Sequence, residues 1–257
     1  MSDPAQECAG KVAIVTGGGT GVGFAVARAF ARCGARIAIA GRREATLTHA
    51  AALIEEQGGA PVFVVPADVA NPADCERIVA ATIERFGALD ILVNNAAYFA
   101  LVPLIEADAA QAARFLAINL TGPLHCGRAF ARWAFERGRG GAIVNISSIA
   151  SARPAPGCGL YSASKAALDM LTRSMALEWA PKGMRVNAVA PGHVATEGVI
   201  EDFRAGRLDE AAMTKSIPAR RIADVDDIAD AVMFLCSDRA RHIFGQVLTV
   251  DGGEGFI

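Results

Sequence analysis

Seven short apolar runs, separated by stretches of helical periodicity, constrain the fold of this chain more than any other feature. The runs cover residues 12–16, 36–40, 62–66, 91–94, 142–146, 185–190 and 246–250. Between them, the periodicity predicts helices at approximately 22–33, 44–57, 72–86, 106–137, 160–180 and 225–238. Regular alternation of strands and helices favours a parallel sheet with right-handed crossovers. The sequence therefore predicts an α/β, Rossmann-like, doubly wound sheet of about seven strands with helices on both faces.

The chain of 257 residues is interpreted as a single domain, residues 1–257, because no repeat, low-complexity tract or linker interrupts the alternation. One segment breaks the rhythm. Residues 195–219 carry mixed charges and have no clean period. Ligands of doubly wound folds bind beyond the carboxyl ends of the strands. We therefore expect this segment, which follows the sixth strand, to be a mobile flap over the substrate.

Charge and composition exclude several classes of function. The net charge of -2 and the pI of about 6.1 give no electrostatic argument for a nucleic-acid partner. The apolar runs are too short for a membrane span, and the first eleven residues are too polar for a signal peptide. The six cysteines are scattered without metal-ligand spacing, as in proteins that keep reduced thiols. We expect a cytoplasmic protein with no metal site.

The first strand runs into a glycine-rich turn and then a predicted helix. Gly17, Gly21 and Gly23 follow Thr16 in the pattern T-G-x-x-x-G-x-G, whereas Val22 breaks the stricter G-x-G-x-x-G. Glycines at such a turn let the backbone approach a pyrophosphate at the positive helix N-terminus. This arrangement predicts a dinucleotide site that includes the backbone of Val22. A tight turn without a ligand is the alternative.

The end of the second strand bears on which dinucleotide binds. Gly41 is followed by Arg42 and Arg43, and no carboxylate occupies the turn. An acidic residue here would bind the ribose 2′-hydroxyl of NAD, whereas an arginine accommodates the 2′-phosphate of NADP. The sequence predicts a preference for NADP(H) over NAD(H). The alternative is a pair of solvated arginines.

Tyr161 and Lys165 are separated by one helical turn, so their side chains share a helix face. A free tyrosine titrates near pH ~10, and a neighbouring ammonium group lowers that pKa. The pair is therefore predicted to be a proton donor and acceptor tuned toward neutral pH. Taken alone, the spacing also fits a half-buried tyrosine beside a solvated lysine.

With Asn145-Ile146-Ser147-Ser148 upstream of that pair, the chain resembles the short-chain dehydrogenase/reductase family from about residue 11 to residue 253. The resemblance implies hydride transfer between a nicotinamide and a carbonyl or secondary alcohol. It also implies a catalytic set of Asn119, Ser148, Tyr161 and Lys165. In that set Asn119 anchors a water, Ser148 binds the substrate oxygen, and Lys165 also holds the nicotinamide ribose.

Further cofactor contacts are implied by the same resemblance. Asp68 and Val69 match the adenine-contacting pair, and Asn95 and Ala96 lie in the strand-four motif. The segment that holds the nicotinamide carboxamide is matched by Pro191, Gly192, Val194 and Thr196. Tyr161 and Lys165 belong to the cofactor set as well as to the catalytic set.

The helix predicted at 160–180 is apolar nearly all round, which indicates burial on several sides. We expect a subunit interface on its outer face, where Met175 is assigned, and the resemblance implies a homotetramer. The runner-up function is a 3-oxoacyl-[acyl-carrier-protein] reductase, with Arg137, Arg139 and Lys182 receiving the acidic partner. A nucleotide-sensing relative without catalysis and a purely structural oligomer are the alternatives from other classes.

Overall fold

The computed structural model describes residues 8–57 and 59–256, which contain one seven-stranded parallel sheet. The strand order is β3-β2-β1-β4-β5-β6-β7. The strands are β1 Val12–Thr16, β2 Arg36–Gly41, β3 Phe63–Pro66, β4 Ile91–Asn94, β5 Gly141–Ile146, β6 Met184–Pro191 and β7 Val247–Val250. The predicted doubly wound sheet is confirmed.

The strand order reverses beside β1, and this reversal positions the ligand site. The chain runs outward from β1 to β3 and returns to place β4 on the other side of β1, with Val15 opposite Val93. Helices after β1 and β4 therefore leave in opposite directions. A crevice opens at the carboxyl ends of these strands, where ligands of such folds bind.

Helices cover both faces of the sheet because the side chains of each strand alternate in direction. Ala13 and Val15 belong to one buried cluster, and Val12 and Ile14 belong to the other. The helices are α1 Gly21–Arg32, α2 Glu44–Glu56, α3 Pro72–Phe86, α4 Ala109–Leu116, α5 Gly122–Phe135, α6 Gly159–Trp179, α7 Glu197–Arg204, α8 Glu210–Ser216 and α9 Val225–Cys236. Within residues 8–57 and 59–256, none of the helices combines the length and the apolar character needed to cross a bilayer.

The helix predicted at 106–137 is present from Ala109 to Phe135, but it consists of two α-helices joined by a π-helical segment. Asp108 and Gln111 form a reciprocal capping box, so α4 begins only at Ala109. Residues Ala117–Thr121 then widen into the π-helix. Pro123, in the first turn of α5, has no N–H to continue the α-helical ladder. The π-helical segment contains Asn119.

The segment 195–219, to which the sequence analysis assigned no element, contains the short helices α7 and α8. Thr196 caps α7 by accepting a hydrogen bond from Val199 N, at 3.4 Å. Asp209 caps α8 by accepting one from Ala212 N, at 2.9 Å. Helices of about two turns contain few repeats of a hydrophobic period, which makes them hard to recognise from a sequence.

The assignment of Met175 to the outer face of α6 is also wrong. Only 3% of Met175 is exposed, and its side chain packs against Gly127 of α5. Leu177, by contrast, is 80% exposed. The helix is apolar on both sides, and its composition alone did not determine which side faces the sheet.

Candidate active site

A cavity of about 740 Å³ lies at the carboxyl ends of the strands around the point where the strand order reverses. It brings together most of the predicted site. The predicted residues that line it are Gly17, Gly21, Val22, Arg42, Arg43, Asp68, Val69, Asn95, Ala96, Ser148, Tyr161, Lys165, Pro191, Gly192, Val194 and Thr196. Two predicted residues, Gly23 and Asn119, lie outside this lining.

The turn after β1 needs glycines because its backbone passes close to neighbouring atoms, which leaves no room for side chains. Gly17 has a φ of +66°, and a Cβ there would lie 2.8 Å from Asn95 Nδ2. A Cβ on Gly23 would collide with the Gly17 carbonyl oxygen. The absence of a side chain at Gly23 therefore lets α1 pack closely against the turn. Its assignment as a cofactor-binding residue stays a prediction.

Hydrogen bonds tie the glycine turn to the end of β4. The hydroxyl of Thr16 accepts from the backbone N–H groups of Asn95 and Ala96, at 3.0 and 3.1 Å. The Asn95 side-chain amide donates to the carbonyl oxygens of Thr16 and Gly17, at 3.0 and 3.1 Å. The Asn95 side chain therefore holds the turn in place, and Asn95 is also part of the cavity lining.

The three central catalytic candidates come from the end of β5 and the first two turns of α6. Ser148 follows β5, and its side chain hydrogen-bonds the Tyr161 side chain. Lys165 is buried one turn after Tyr161, and its Nζ donates to the Ile146 carbonyl oxygen at 2.7 Å. The Lys165 Nζ lies 5.7 Å from the centre of the Tyr161 ring.

The pKa values of this pair do not follow the prediction from helical spacing. Burial raises the pKa of Tyr161, although the hydrogen bond with Ser148 acts in the opposite direction. Burial also lowers the pKa of Lys165 to about 8, against the attraction of Asp169. Desolvation therefore dominates at both groups. The predicted lowering of the Tyr161 pKa by Lys165 is corrected.

Asn119 joins the loop after β4 to α6. Its side-chain oxygen accepts from Tyr98 N at 2.7 Å, and its amide donates to Tyr98 O at 2.9 Å and to Ser164 Oγ at 3.0 Å. Ser164 Oγ in turn donates to the Tyr161 carbonyl oxygen at 2.7 Å. The side chain of Asn119 therefore positions the turn of α6 that carries Tyr161.

Several other residues of the cavity lining were not predicted from the sequence, and two of them hold parts of the site in place. Glu197 accepts a hydrogen bond from the backbone N–H of Gly21 at 2.9 Å. Ile146 supplies the carbonyl that orients Lys165. The Glu197 contact joins residues that are 176 positions apart, so no local pattern indicated it. Phe99 also lines the cavity, and its ring meets that of Tyr161 edge-on, with 5.0 Å between the ring centres.

The basic residues assigned to an acyl-carrier-protein partner lie at the opposite end of the sheet. Arg139 pairs with Asp90, whose carboxylate also accepts from Val12 N at the start of β1. Lys182 lies just before β6, and Arg137 lies just after α5. All three are therefore at the amino-terminal edge of the sheet, and their predicted place near the mouth of the site is wrong.

The residues that line the cavity fit a nicotinamide dinucleotide. Positive φ values at Gly17 and Gly21 open the backbone of a turn at the N-terminus of α1, as phosphate binding requires. The exposed Arg42 and Arg43 lie at one part of the lining, and Tyr161 and Lys165 lie at another. The cavity thus joins cationic groups suited to phosphate with a hydroxyl–ammonium pair suited to proton transfer.

Comparisons with known proteins agree with this geometry. A family model described as Enoyl-(Acyl carrier protein) reductase matches residues 17–254. A galactitol 2-dehydrogenase (L-tagatose-forming) of Cereibacter sphaeroides is 39% identical over 247 residues, covering 95% of this chain and 94% of the relative. A glucose 1-dehydrogenase of Gluconobacter oxydans is 36% identical over 248 residues, covering 95% and 92%.

A solved structure from Sinorhizobium meliloti, described as a short-chain alcohol dehydrogenase, has a TM-score of 0.89 to this fold. The two sequences are 37% identical, and the match covers 98% of each chain. Fold, motifs and relatives thus agree along nearly the whole length. This chain belongs to the short-chain dehydrogenase/reductase family and is a nicotinamide-dependent oxidoreductase of CH–OH and C=O groups.

Proposed function

We propose that the protein is an NADP(H)-dependent oxidoreductase that interconverts a ketone and a secondary alcohol on a small molecule. One observation carries this proposal. A single cavity has Arg42 and Arg43 among its lining residues together with Ser148, Tyr161 and Lys165. The first pair suits a 2′-phosphate, and the second group suits proton transfer to a carbonyl oxygen.

The nicotinamide, when bound, supplies or accepts the hydride. In the reductive direction Tyr161 donates its hydroxyl proton to the carbonyl oxygen, and in the oxidative direction it accepts that proton. Its raised pKa keeps the hydroxyl protonated at neutral pH, which suits donation. Ser148, already hydrogen-bonded to Tyr161, donates to the same substrate oxygen and stabilises the negative charge that develops there.

Lys165 and Asn119 support the acid. The Ile146 carbonyl fixes the Lys165 ammonium one helical turn from Tyr161, where it would hold the ribose of a bound cofactor. Asn119 acts as a positioning residue through Ser164, which holds the backbone of Tyr161. This network explains why a buried amide lies in a π-helical segment, since such segments recur at functional sites.

The residues 195–219 are proposed to form a flap over the site. Thr196 and Glu197, at the start of α7, line the same cavity as Tyr161. The rest of the segment is largely exposed, so few buried contacts oppose its movement. We further propose a cytoplasmic homotetramer, in which α6 contributes an interface through its exposed Leu177.

A substrate carried on acyl carrier protein is the second candidate, and the description of the matching family model favours it. The basic residues Arg137, Arg139 and Lys182 give it no support, because they lie at the other edge of the sheet. A 3-oxoacyl pantetheine thioester tests this candidate directly.

The proposed function is tested by mixing the protein with NADPH and a panel of ketones, and with NADP⁺ and the matching alcohols. Turnover is followed by the absorbance of the reduced nicotinamide. We expect turnover with the wild type and loss of turnover with Tyr161→Phe. Binding of NADPH without turnover of any ketone, alcohol or thioester would instead support the nucleotide-sensing alternative.

A further inference from the structure

Two loops beside Tyr161 present apolar side chains to solvent. The first, residues 99–105 between β4 and α4, reads Phe-Ala-Leu-Val-Pro-Leu-Ile and contains no polar side chain. Leu101, Leu104 and Ile105 are 67%, 65% and 96% exposed. Contiguous apolar surface of this kind usually marks a binding site.

This apolar loop is continuous with the catalytic centre. Phe99 meets the Tyr161 ring edge-on at 5.0 Å. Leu104 lies against Gly159, the first residue of α6, where a Cβ would come within 2.6 Å of it. The apolar surface formed by the exposed leucines therefore begins beside Tyr161, the residue proposed to exchange a proton with the substrate.

The second loop, residues 152–158, lies beside the first. The backbone N–H of Val102 donates to the Gly157 carbonyl oxygen at 2.8 Å, which joins the two loops. Leu101 packs on Gly157, with 3.7 Å between its Cβ and the position of an added Cβ. The second loop reads Ala-Arg-Pro-Ala-Pro-Gly-Cys, so Arg153 is its one charged residue.

The guanidinium of Arg153 is already engaged. Its Nη1 donates to the Glu254 carbonyl oxygen at 2.6 Å. The two loops therefore offer few hydrogen-bonding groups to a substrate. A site that selects hydroxyl-rich molecules needs polar partners for those hydroxyls, because unpaired buried hydroxyls are costly. These loops instead match an apolar substituent, which gains free energy by leaving water.

We propose that the substrate of this enzyme carries an apolar alkyl or aryl group beside its carbonyl or carbinol carbon. That group binds against Phe99, Leu101 and Leu104, and the reacting oxygen faces Tyr161. The inference rests on the proposed function and names the substrate class of the same site. It separates this chain from relatives whose names refer to galactitol, sorbitol and glucose.

The test is a homologous series of 2-alkanones, from 2-butanone to 2-decanone, with D-fructose as the hydroxylated comparison and NADPH as reductant. We expect kcat/KM to rise by about twofold to fourfold for each methylene, until the chain extends beyond the loops. D-Fructose is expected to react more slowly than every ketone longer than 2-pentanone. A flat series, or D-fructose as the best substrate, would overturn the inference while leaving the proposed function intact.

Substitutions in the first loop test whether its side chains cause the dependence of kcat/KM on alkyl chain length. Leu101→Ser and Leu104→Ser are expected to reduce the increase in kcat/KM per methylene, mainly through KM. Leu248→Ser, at an exposed position of β7, is the control and leaves that increase unchanged. Circular dichroism melting checks that each variant is folded.

Light scattering tests for the competing occupant of the two loops, a second copy of the chain. Variants that dissociate while keeping the full dependence on chain length would show that the loops form a subunit interface, and the proposal would fail.

If no ketone or alcohol of any kind reacts, the proposed function itself has failed. That result differs from the flat series, in which turnover is present and only its dependence on chain length is absent. The two hypotheses are therefore tested separately in one set of assays.

Discussion

The carboxylate of Glu197 accepts a hydrogen bond from the backbone N–H of Gly21, with 2.9 Å between Oε2 and N. Gly21 opens α1 at the glycine turn, and Glu197 opens α7 in the segment proposed as the flap. The Gly21 N–H, at the N-terminus of α1, is a hydrogen-bond donor that a bound phosphate would also use. The Glu197 carboxylate occupies this donor. The contact thus links the position of α7 to the cofactor site.

Replacing Glu197 by glutamine is expected to tighten NADPH binding by about threefold to tenfold, or ~0.7–1.4 kcal/mol. The change removes a negative charge that competes for Gly21 N and repels a pyrophosphate. Quenching of tryptophan fluorescence measures the dissociation constant. Glu201→Gln, an exposed position in the same helix, serves as the matched control. Equal affinities in all three proteins would show that Glu197 does not compete with the cofactor.

Tyr161→Phe is expected to lower kcat by about 10²–10⁴-fold, because it removes the proton that the carbonyl oxygen receives. The ring and its contact with Phe99 remain, so melting temperature and NADPH affinity should change little. Single-turnover kinetics with NADPH measure the loss. A variant that keeps more than about a tenth of the wild-type rate would rule out Tyr161 as the acid.

Lys165 should make stability depend on pH between about 8 and the ordinary lysine pKa of ~10.4. In that window the unfolded chain holds a proton that the folded protein has lost. The free energy of unfolding therefore rises with pH, by up to about 1.4 kcal/mol per pH unit from this group. Below pH 8 both states hold the proton, and the dependence ends.

Urea unfolding at several pH values tests this, with Lys165→Met compared to wild type. The free energy of unfolding of wild type, minus that of Lys165→Met, should rise with pH through the window. All other titrating groups are shared by the two proteins, so their contributions cancel. The exposed Lys182→Met is the control and should follow wild type. A parallel course for wild type and Lys165→Met would show that Lys165 has an ordinary pKa in the folded protein.

The double change Gly41→Asp with Arg42→Ala should reverse the preference for NADP(H). A Cβ at Gly41 would lie 3.5 Å from Leu47 Cδ2, an ordinary contact, so the aspartate fits. Loss of a charge-assisted bond costs about 1.5–3 kcal/mol, or roughly tenfold to a hundredfold in affinity. The measurement is kcat/KM for both cofactors at one ionic strength, with Arg32→Ala as control. Wild-type protein that favours NAD(H) would contradict the proposal.

Leu177→Glu should dissociate the proposed oligomer, because burying an unpaired carboxylate in an apolar interface costs several kcal/mol. Leu177 is 80% exposed, whereas Met175 of the same helix lies in the core. Light scattering at micromolar concentration gives the mass of each species, and Thr48→Glu on α2 is the control. A monomeric wild type would remove this proposal.

Local patterns in the sequence were enough to predict the architecture and many of the residues that line the cavity. Alternating apolar runs predicted the seven strands, because burial on both faces of a parallel sheet requires continuous apolar residues. The glycine turn and the Tyr161–Lys165 spacing predicted residues that line one cavity. Hydrophobic period, turn chemistry and helical spacing can be predicted from sequence because each depends on residues that are close together in the chain.

The arrangement of these residues and their ionisation depend on tertiary packing. It placed Met175 inward, moved Arg139 to the far edge of the sheet, and interrupted the predicted helix at Asn119. It also joined Glu197 to Gly21 and buried Lys165 deeply enough to lower its pKa to about 8. These outcomes depend on which surfaces pack together across long separations in sequence, and on the desolvation that packing imposes.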